Sequence, residues 1–280
     1  MEQASSVFFW FAFALYIGAT VLYAYQFVLR RPKVAWWARF LTGAGFICQT
    51  ASIGAASIAA DGTIFSGRNQ LMLASWALVL LYFVLEHVLR IRAYGAFLIP
   101  VAVIAMAVSV LSGGSAAGYN PTPEQLFLVS GYGIALHVGL IVFANAGFAF
   151  GAVSAGLYLY QSAQLKNRKS SKVSRRLPSL ATLQNVTRRS IALAYPVYTA
   201  GLTLGIIRAI QTDVDGWFAD PRVMMAGLVW LTYTAYLVIV YRRDVSSRIA
   251  SWVAVFGLAL VVVLAILART VETGFHIFGI

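Results

Sequence analysis

The chain has 280 residues, of which 60% are hydrophobic and 11% charged, and it carries a formal net charge of +12. A mean hydropathy of +0.79 lies far outside the range of soluble globular proteins and puts the chain in the membrane class. The single cysteine, Cys48, excludes an internal disulfide and any CxxC redox or CxxCH attachment motif.

A spanning helix needs about 20 mostly apolar residues, because hydrocarbon offers no partner to exposed backbone groups. Eight runs qualify, approximately at 7–29, 36–59, 70–90, 93–113, 137–161, 190–211, 222–241 and 248–270. The expected fold is therefore all-α: one integral membrane domain over 1–280, a polytopic bundle of eight transmembrane helices with no sizeable soluble domain. The first run is too long for a removable signal peptide and lacks a basic leader and a small-residue cleavage site, so it reads as a retained helix. Small residues in the second ("GAGF", "GAAS") predict close helix packing and not a pore. No inverted repeat or pair of broken helices of the transporter kind is evident.

The basic residues collect at alternate helix ends: Arg30, Arg31, Lys33 and Arg39, then Arg90 and Arg92, then eight bases from Lys166 to Arg189, then Arg242, Arg243 and Arg248. Only Arg68, Arg208, Arg222 and Arg269 remain. The positive-inside rule puts those connections in the cytoplasm, including a basic loop over 162–189 that suits contact with anionic lipid. The acids Glu2, Asp61, Glu124, Asp213, Asp215, Asp220 and Glu272 fall on the other side. Both termini are then expected outside, the bacterial cytoplasmic (inner) membrane is the expected location, and nucleic acid is not an expected partner.

The connection over 212–221 contains "GWFADPRV" (216–223) and is expected on the outer face. Asp220 suits an N-cap and Pro221 a first helical position, while Trp217 suits an interfacial anchor. Of three histidines, His137 opens the fifth run and His276 follows the eighth, so both are expected at the outer surface beside this loop. Two neutral imidazoles at one depth are a plausible axial pair for haem iron. Trp217 and Phe218 supply aromatic walls, and Arg208, Arg222 and Arg269 supply cations for the propionates. The competing readings are interfacial histidines and arginines that snorkel to the headgroups; Asp213 and Asp215 oppose a propionate site. His87, beside Glu86 at the opposite end, reads either as an intramembrane functional residue or as a solvated neighbour of a Glu86–Arg90 pair.

The segment "DPRVMMAGLVWLTYTAYL" from 220 resembles the stretch following the tryptophan-rich loop of the cytochrome c assembly (CcsA/CcmC) and HemX-like membrane proteins, WxWDPKExWxLxxWLxYxxYL. Trp217, Asp220, Pro221, Trp230, Leu231, Tyr233, Tyr236 and Leu237 match in register, with Arg222 in place of the Lys. Upstream, "HVGLIVFANAGFAFGAVSAGLYLYQSAQLK" is similar to the family's histidine-led helix, and "LPSLATLQNVTRRSIALAYPVYTAGLTLGIIRA" to its LPSLxxLxxxxxRxIxxGFPxLTxGxxxGxxxA segment. The resemblance covers about 70–280. It implies haem b bound at the outer face between His137 and His276, with Asp220 part of the loop motif, and presentation of that haem to a membrane-protein partner of a cytochrome c assembly or respiratory complex. No nucleophile–base pair or phosphate loop appears, so the expected role is carriage and assembly and not side-chain catalysis. Ala219, Val223 and Met225 replace a Trp, a Glu and a Trp of the pattern. Those losses leave two outcomes, a weaker or differently shaped haem site or a haem-free structural subunit of a larger membrane complex, and a HemX-like regulator of haem biosynthesis is a separate alternative.

Overall fold

The computed structural model describes residues 2–29, 31–59, 67–89, 94–111, 132–167, 174–211, 216–242 and 246–270. Among these are eight α-helices: α1 (Glu2–Leu29), α2 (Pro32–Ala59), α3 (Gly67–Leu89), α4 (Gly95–Leu111), α5 (Tyr132–Lys166), α6 (Leu180–Gln211), α7 (Pro221–Tyr241) and α8 (Ser247–Thr270). Two 3₁₀ turns, Ser174–Arg176 and Trp217–Ala219, complete the described elements. Six of the helices (α1, α2 and α5 to α8) are long and apolar enough to cross a membrane, and α3 and α4 hold the shorter apolar stretches Leu71–Val84 and Gly95–Val110.

The hydroxyls inside these helices mostly satisfy themselves. Thr42, Thr50, Ser154, Thr187, Thr199, Thr203, Thr232, Thr234 and Ser251 each donate to the carbonyl four residues back. That arrangement removes donors which lipid could not match. Large apolar side chains such as Trp10, Phe11, Trp36, Ile47, Leu193, Leu231 and Phe256 are exposed, as lipid-facing surfaces require.

Two of the helices that overrun their apolar runs border the basic 162–189 stretch. α5 begins at Tyr132 and continues to Lys166, and α6 begins at Leu180, ahead of the expected 190. Helix thus occupies both ends of the basic 162–189 stretch. Ser179 caps α6, its Oγ accepting from the Thr182 amide at 3.2 Å.

The described residues form two compact units. Unit 1 holds α1, α2, α3 from Leu71, α4 and the Ser174–Arg176 turn. In it α1 and α2 run antiparallel, joined where Ser5 donates to the Ser52 carbonyl and Ser52 to that of Ser5, at 3.0 and 2.7 Å. Gly45, within "GAGF", meets the Tyr16 ring so closely that an added Cβ would lie 2.7 Å from it, whereas Gly43 and Gly54 have no such neighbour. Close packing on α2 therefore rests on Gly45. Arg176 donates to the Phe27 carbonyl.

Unit 2 holds most of α5 with α6, α7 and α8. Its centre is Phe148 stacked on Tyr233 at 3.7 Å between centroids, with Ile191, Tyr198, Tyr236 and Ala254 buried around them. The family-like residues on α7 do this packing: Trp230 donates to Thr199 at 3.0 Å and stacks on Tyr195, and the Tyr195 hydroxyl meets that of Thr234 at 2.7 Å.

Candidate functional site

The residues of the 216–222 turn are built locally. Gly216 has φ 72°, a left-handed conformation that costs glycine little and other residues more. It starts the turn Trp217–Ala219, closed by the Ala219 amide donating to Gly216 at 2.9 Å. Asp220 then caps α7: its Oδ1 accepts from the Arg222 amide at 2.7 Å, with Pro221 at the first helical position. The sequence-based reading of Asp220 and Pro221 holds. Both Asp220 and Arg222 are buried, at 4% and 6% exposure, and the carboxylate acts electrostatically on the guanidinium. Trp217 is half-buried, meeting Phe218 edge-on at 6.2 Å, while Phe218 is 68% exposed. The turn thus holds one anchored ring and one open to the surroundings.

His137 stands in the second turn of α5, partly buried against α6. Its Nδ1 lies 2.6 Å from the Gly201 carbonyl oxygen. A carbonyl only accepts, so Nδ1 carries the proton of the neutral ring and the lone pair sits on Nε2. Gly205, one turn further along α6, lies under the same ring: a Cβ there would come within 2.7 Å of His137 Cε1 and 3.0 Å of Nδ1. The helix pair is antiparallel throughout, since Gly147 meets Ala194 and Gly151 meets Ile191. Thr187 also donates to the Gly151 carbonyl at 3.3 Å.

That register places the expected site residues. α6 ends at Gln211, six residues or about 9 Å beyond Gly205, and the loop carrying Trp217 follows. Arg208, half-buried, is less than one turn past Gly205. α7 starts at the loop and returns antiparallel to α6, so His137, Arg208, Trp217, Phe218, Asp220 and Arg222 belong to one end of unit 2. α8 packs back along α7, with Gly257 against Tyr233. Its last residues, including Arg269, reach the level of Pro221, because Gly257 to Thr270 and Tyr233 to Pro221 are each about 18–20 Å of helix. His276 lies outside the described residues, as do Asp213 and Asp215.

His87 is exposed on α3 of unit 1. Its neighbour Glu86 is engaged across helices: Arg39 of α2 lies 3.5 Å from Oε1, and Tyr82 donates to Oε2 at 2.7 Å while sharing a 2.6 Å hydroxyl contact with Tyr23. Arg90, the partner expected within α3, lies outside the described residues.

Gly201 and Gly205 are the residues that sequence reasoning did not assign. Their signal was present as G-x-x-x-G on a helix facing a histidine-led helix, a spacing that puts two small residues on one face.

Comparison with known proteins gives the same neighbourhood. A family model described as Cytochrome C assembly protein matches residues 68–276. Protein HemX of Brevibacillus brevis is 32% identical over 106 residues, covering 38% of this chain and 39% of that protein. Cytochrome c biogenesis protein CcsA of Guillardia theta is 24% identical over 230 residues, 75% of this chain and 74% of that protein. The CcsA of Synechococcus sp. (strain RCC307) is 26% identical over 213 residues, 67% and 68% of the two chains.

Proposed function

The chain belongs to the cytochrome c assembly protein family, and from that premise we propose that it handles haem b at the outer membrane face and presents it to a membrane-protein partner. In this reading the chain crosses a bacterial cytoplasmic membrane eight times, with both termini outside. His137 and His276 would hold the haem iron, with the Trp217 turn beside them.

The observation that supports it is the 2.6 Å contact between His137 Nδ1 and the Gly201 carbonyl. Imidazoles that ligate metals almost always donate their other N–H to a carbonyl or carboxylate, which fixes the tautomer and raises ligand basicity. Here the donor is satisfied by helix backbone, and Gly205 leaves room for the ring that any side chain would fill. The residues present suit the group: a fixed nitrogen donor, a half-buried indole, an exposed phenyl ring and the cations Arg208 and Arg222. Haem, when bound, would supply a redox-active iron that neutral imidazoles can hold. The protein's own work is positioning. His137 is oriented by α6, Trp217 is held by the turn that Asp220 terminates, and the arginines offer charge-assisted hydrogen bonds to carboxylates.

The test is the absorbance of the full-length protein purified in detergent. A Soret band that is lost in both His137→Ala and His276→Ala is expected. Absence of a band after haem addition, or its survival in either variant, refutes the axial pair.

A second reading is a regulator of the HemX kind. The HemX match favours it, as does the reduced aromatic surface, with Ala219 and Met225 where the family pattern has tryptophans. Deleting the gene separates the two: lost cytochrome c maturation with normal haem synthesis supports the carrier, and the reverse supports the regulator.

A further inference from the structure

At the end of unit 2 remote from the Trp217 turn, the start of α6, the end of α7 and the start of α8 enclose a cavity of about 230 Å³. The two ends are one helix apart, and the 21 residues of α7 make that about 31 Å. Tyr236, Ile239, Val240 and Ala250 form its apolar wall, and polar groups, with both arginines exposed at the rim, form the rest. Arg188 comes from α6, Arg242 from the end of α7, and Thr187, Gln184, Ser247 and Ser251 surround them. Neither arginine forms an ion pair among the described residues, where Arg39–Glu86 is the salt bridge present.

The neutral groups add donors of the same polarity. Gln184 Nε2 donates to Ser247 Oγ at 2.5 Å, so the serine keeps its own proton to give. α8 begins here, and the amides of Ile249 and Ala250 turn back to the Ser246 carbonyl. Both amides are satisfied there, so this end of the 24-residue helix lies beside the same space and contributes its positive field without a free donor. Two guanidinium forks, a hydroxyl donor and a helix terminus together form an anion receptor, and guanidinium geometry matches phosphate oxygens in particular. The volume is below the roughly 300–1,000 Å³ usual for drug-sized ligands. It accommodates a headgroup and excludes a porphyrin.

We propose that this cavity between α6, α7 and α8 is a binding site for a net-anionic, phosphate-bearing group, either the headgroup of an anionic phospholipid or a free phosphate. Lipid is the source that the surroundings favour. The outward faces of the same helix ends carry exposed Val238, Tyr241, Ile249 and Trp252, surfaces suited to acyl chains, so a headgroup is delivered at the cavity mouth by the bilayer itself. The site stands on different residues from the haem reading and does not depend on it.

The experiment is a thermal-melting titration of the full-length protein in a neutral detergent. The probes are short-chain phosphatidylglycerol, short-chain phosphatidylcholine and inorganic phosphate. Saturable stabilisation by phosphatidylglycerol is expected, and the double variant Arg188→Gln/Arg242→Gln should weaken it by about tenfold or more. Arg175→Gln, an exposed arginine of unit 1, should leave it unchanged. A phosphate-only response lost in the same double variant assigns the site to the free ion. Equal stabilisation by phosphatidylcholine, no response to any probe, or full binding by the double variant overturns the proposal. Should that variant not fold, Arg188→Lys/Arg242→Lys keeps both charges and removes the forks. Its binding should fall by about threefold or more, and unaltered binding there also overturns the site. The Soret band serves as an independent readout, expected to be unchanged in every variant.

Discussion

Gly205→Ala is the sharpest perturbation of the proposed haem ligand, because it alters neither the ligand nor its hydrogen-bond acceptor. The added Cβ would lie 2.7 Å from His137 Cε1 and 3.0 Å from Nδ1. Carbon atoms in good contact sit about 3.5–4.0 Å apart, so the ring must retreat by about 1 Å or the helices must part. The Gly201 bond starts at 2.6 Å, and a retreat of that size takes it to about 3.5 Å, the limit at which it still counts as a bond. Overpacking costs roughly 1–3 kcal/mol, and the weakened bond up to about 1 kcal/mol. Alanine returns about 1 kcal/mol in helix propensity over glycine. Folding stability therefore falls by a net amount of about 0–3 kcal/mol, while ligand orientation changes a great deal. Losing an orienting partner of a metal-bound histidine typically lowers affinity 10–100-fold, and a loss of about that size is expected in a haem titration followed at the Soret band. Gly139→Ala is the control: it lies two residues from His137 on α5, nothing approaches its Cβ within 4 Å, and affinity should stay within about twofold. Equal haem affinity in Gly205→Ala and the unaltered protein, with His137→Ala inactive, would refute the argument that α6 aims the ring.

Substitutions at four further sites are read as stability, each by melting in detergent. Asp220→Ala removes the α7 cap and should cost about 1 kcal/mol, with Asp220→Asn nearer to neutral. Gly257→Ala drives a Cβ to 2.7 Å from Tyr233 Cζ; Phe148 blocks that ring at 3.7 Å on its face, so a net loss of about 1 kcal/mol is expected. Gly227→Ala, with no neighbour within 4 Å, should instead stabilise α7 by up to about 1 kcal/mol. Glu86→Ala should cost about 1–2 kcal/mol, since it removes the acceptor of Tyr82, which keeps only the Tyr23 hydroxyl, and the partner of Arg39. Glu86→Gln should cost less, because it still accepts from Tyr82 and the half-exposed Arg39 gains little from the pair.

The helices were legible in the sequence because hydropathy measures the same transfer free energy that drives insertion. It reports only the part of a helix that lipid covers. The N-terminal third of α6, "LATLQNVTRR" from Leu180, is too polar for that signal, yet its Leu, Gln and Arg are good helix formers and Ser179 supplies a cap. The same holds for the "QSAQLK" end of α5. Pairing between helices was less legible. A within-helix partner at i+4 is visible in one dimension, which is why Arg90 was the natural partner for Glu86. Arg39 lies 47 positions away and becomes a neighbour only when α2 packs on α3.

The candidate site divides along the same line. Asp220 and Pro221 could be read because capping is a local property of three or four residues. His137 could be placed at an end of the bundle because charge asymmetry orders the helix ends. What no count of charges or apolar residues contains is the register of α5 against α6, and that register decides what the imidazole can do. A shift by one residue along α6 would present Leu202 and Ile206 to the ring in place of Gly201 and Gly205. The carbonyl would then be shielded, and the histidine would have to turn outward to satisfy Nδ1. Gly147 against Ala194 and Gly151 against Ile191 hold the pair in phase over ten to fourteen residues from His137. A glycine about three to four turns away is thus part of how the ring is aimed. Enlarging Gly151 should weaken haem retention without touching the Trp217 end of unit 2, in the same direction as Gly205→Ala. Retention unaffected by Gly151→Val in a protein that still melts cooperatively would sever the packing of α5 on α6 from the orientation of His137.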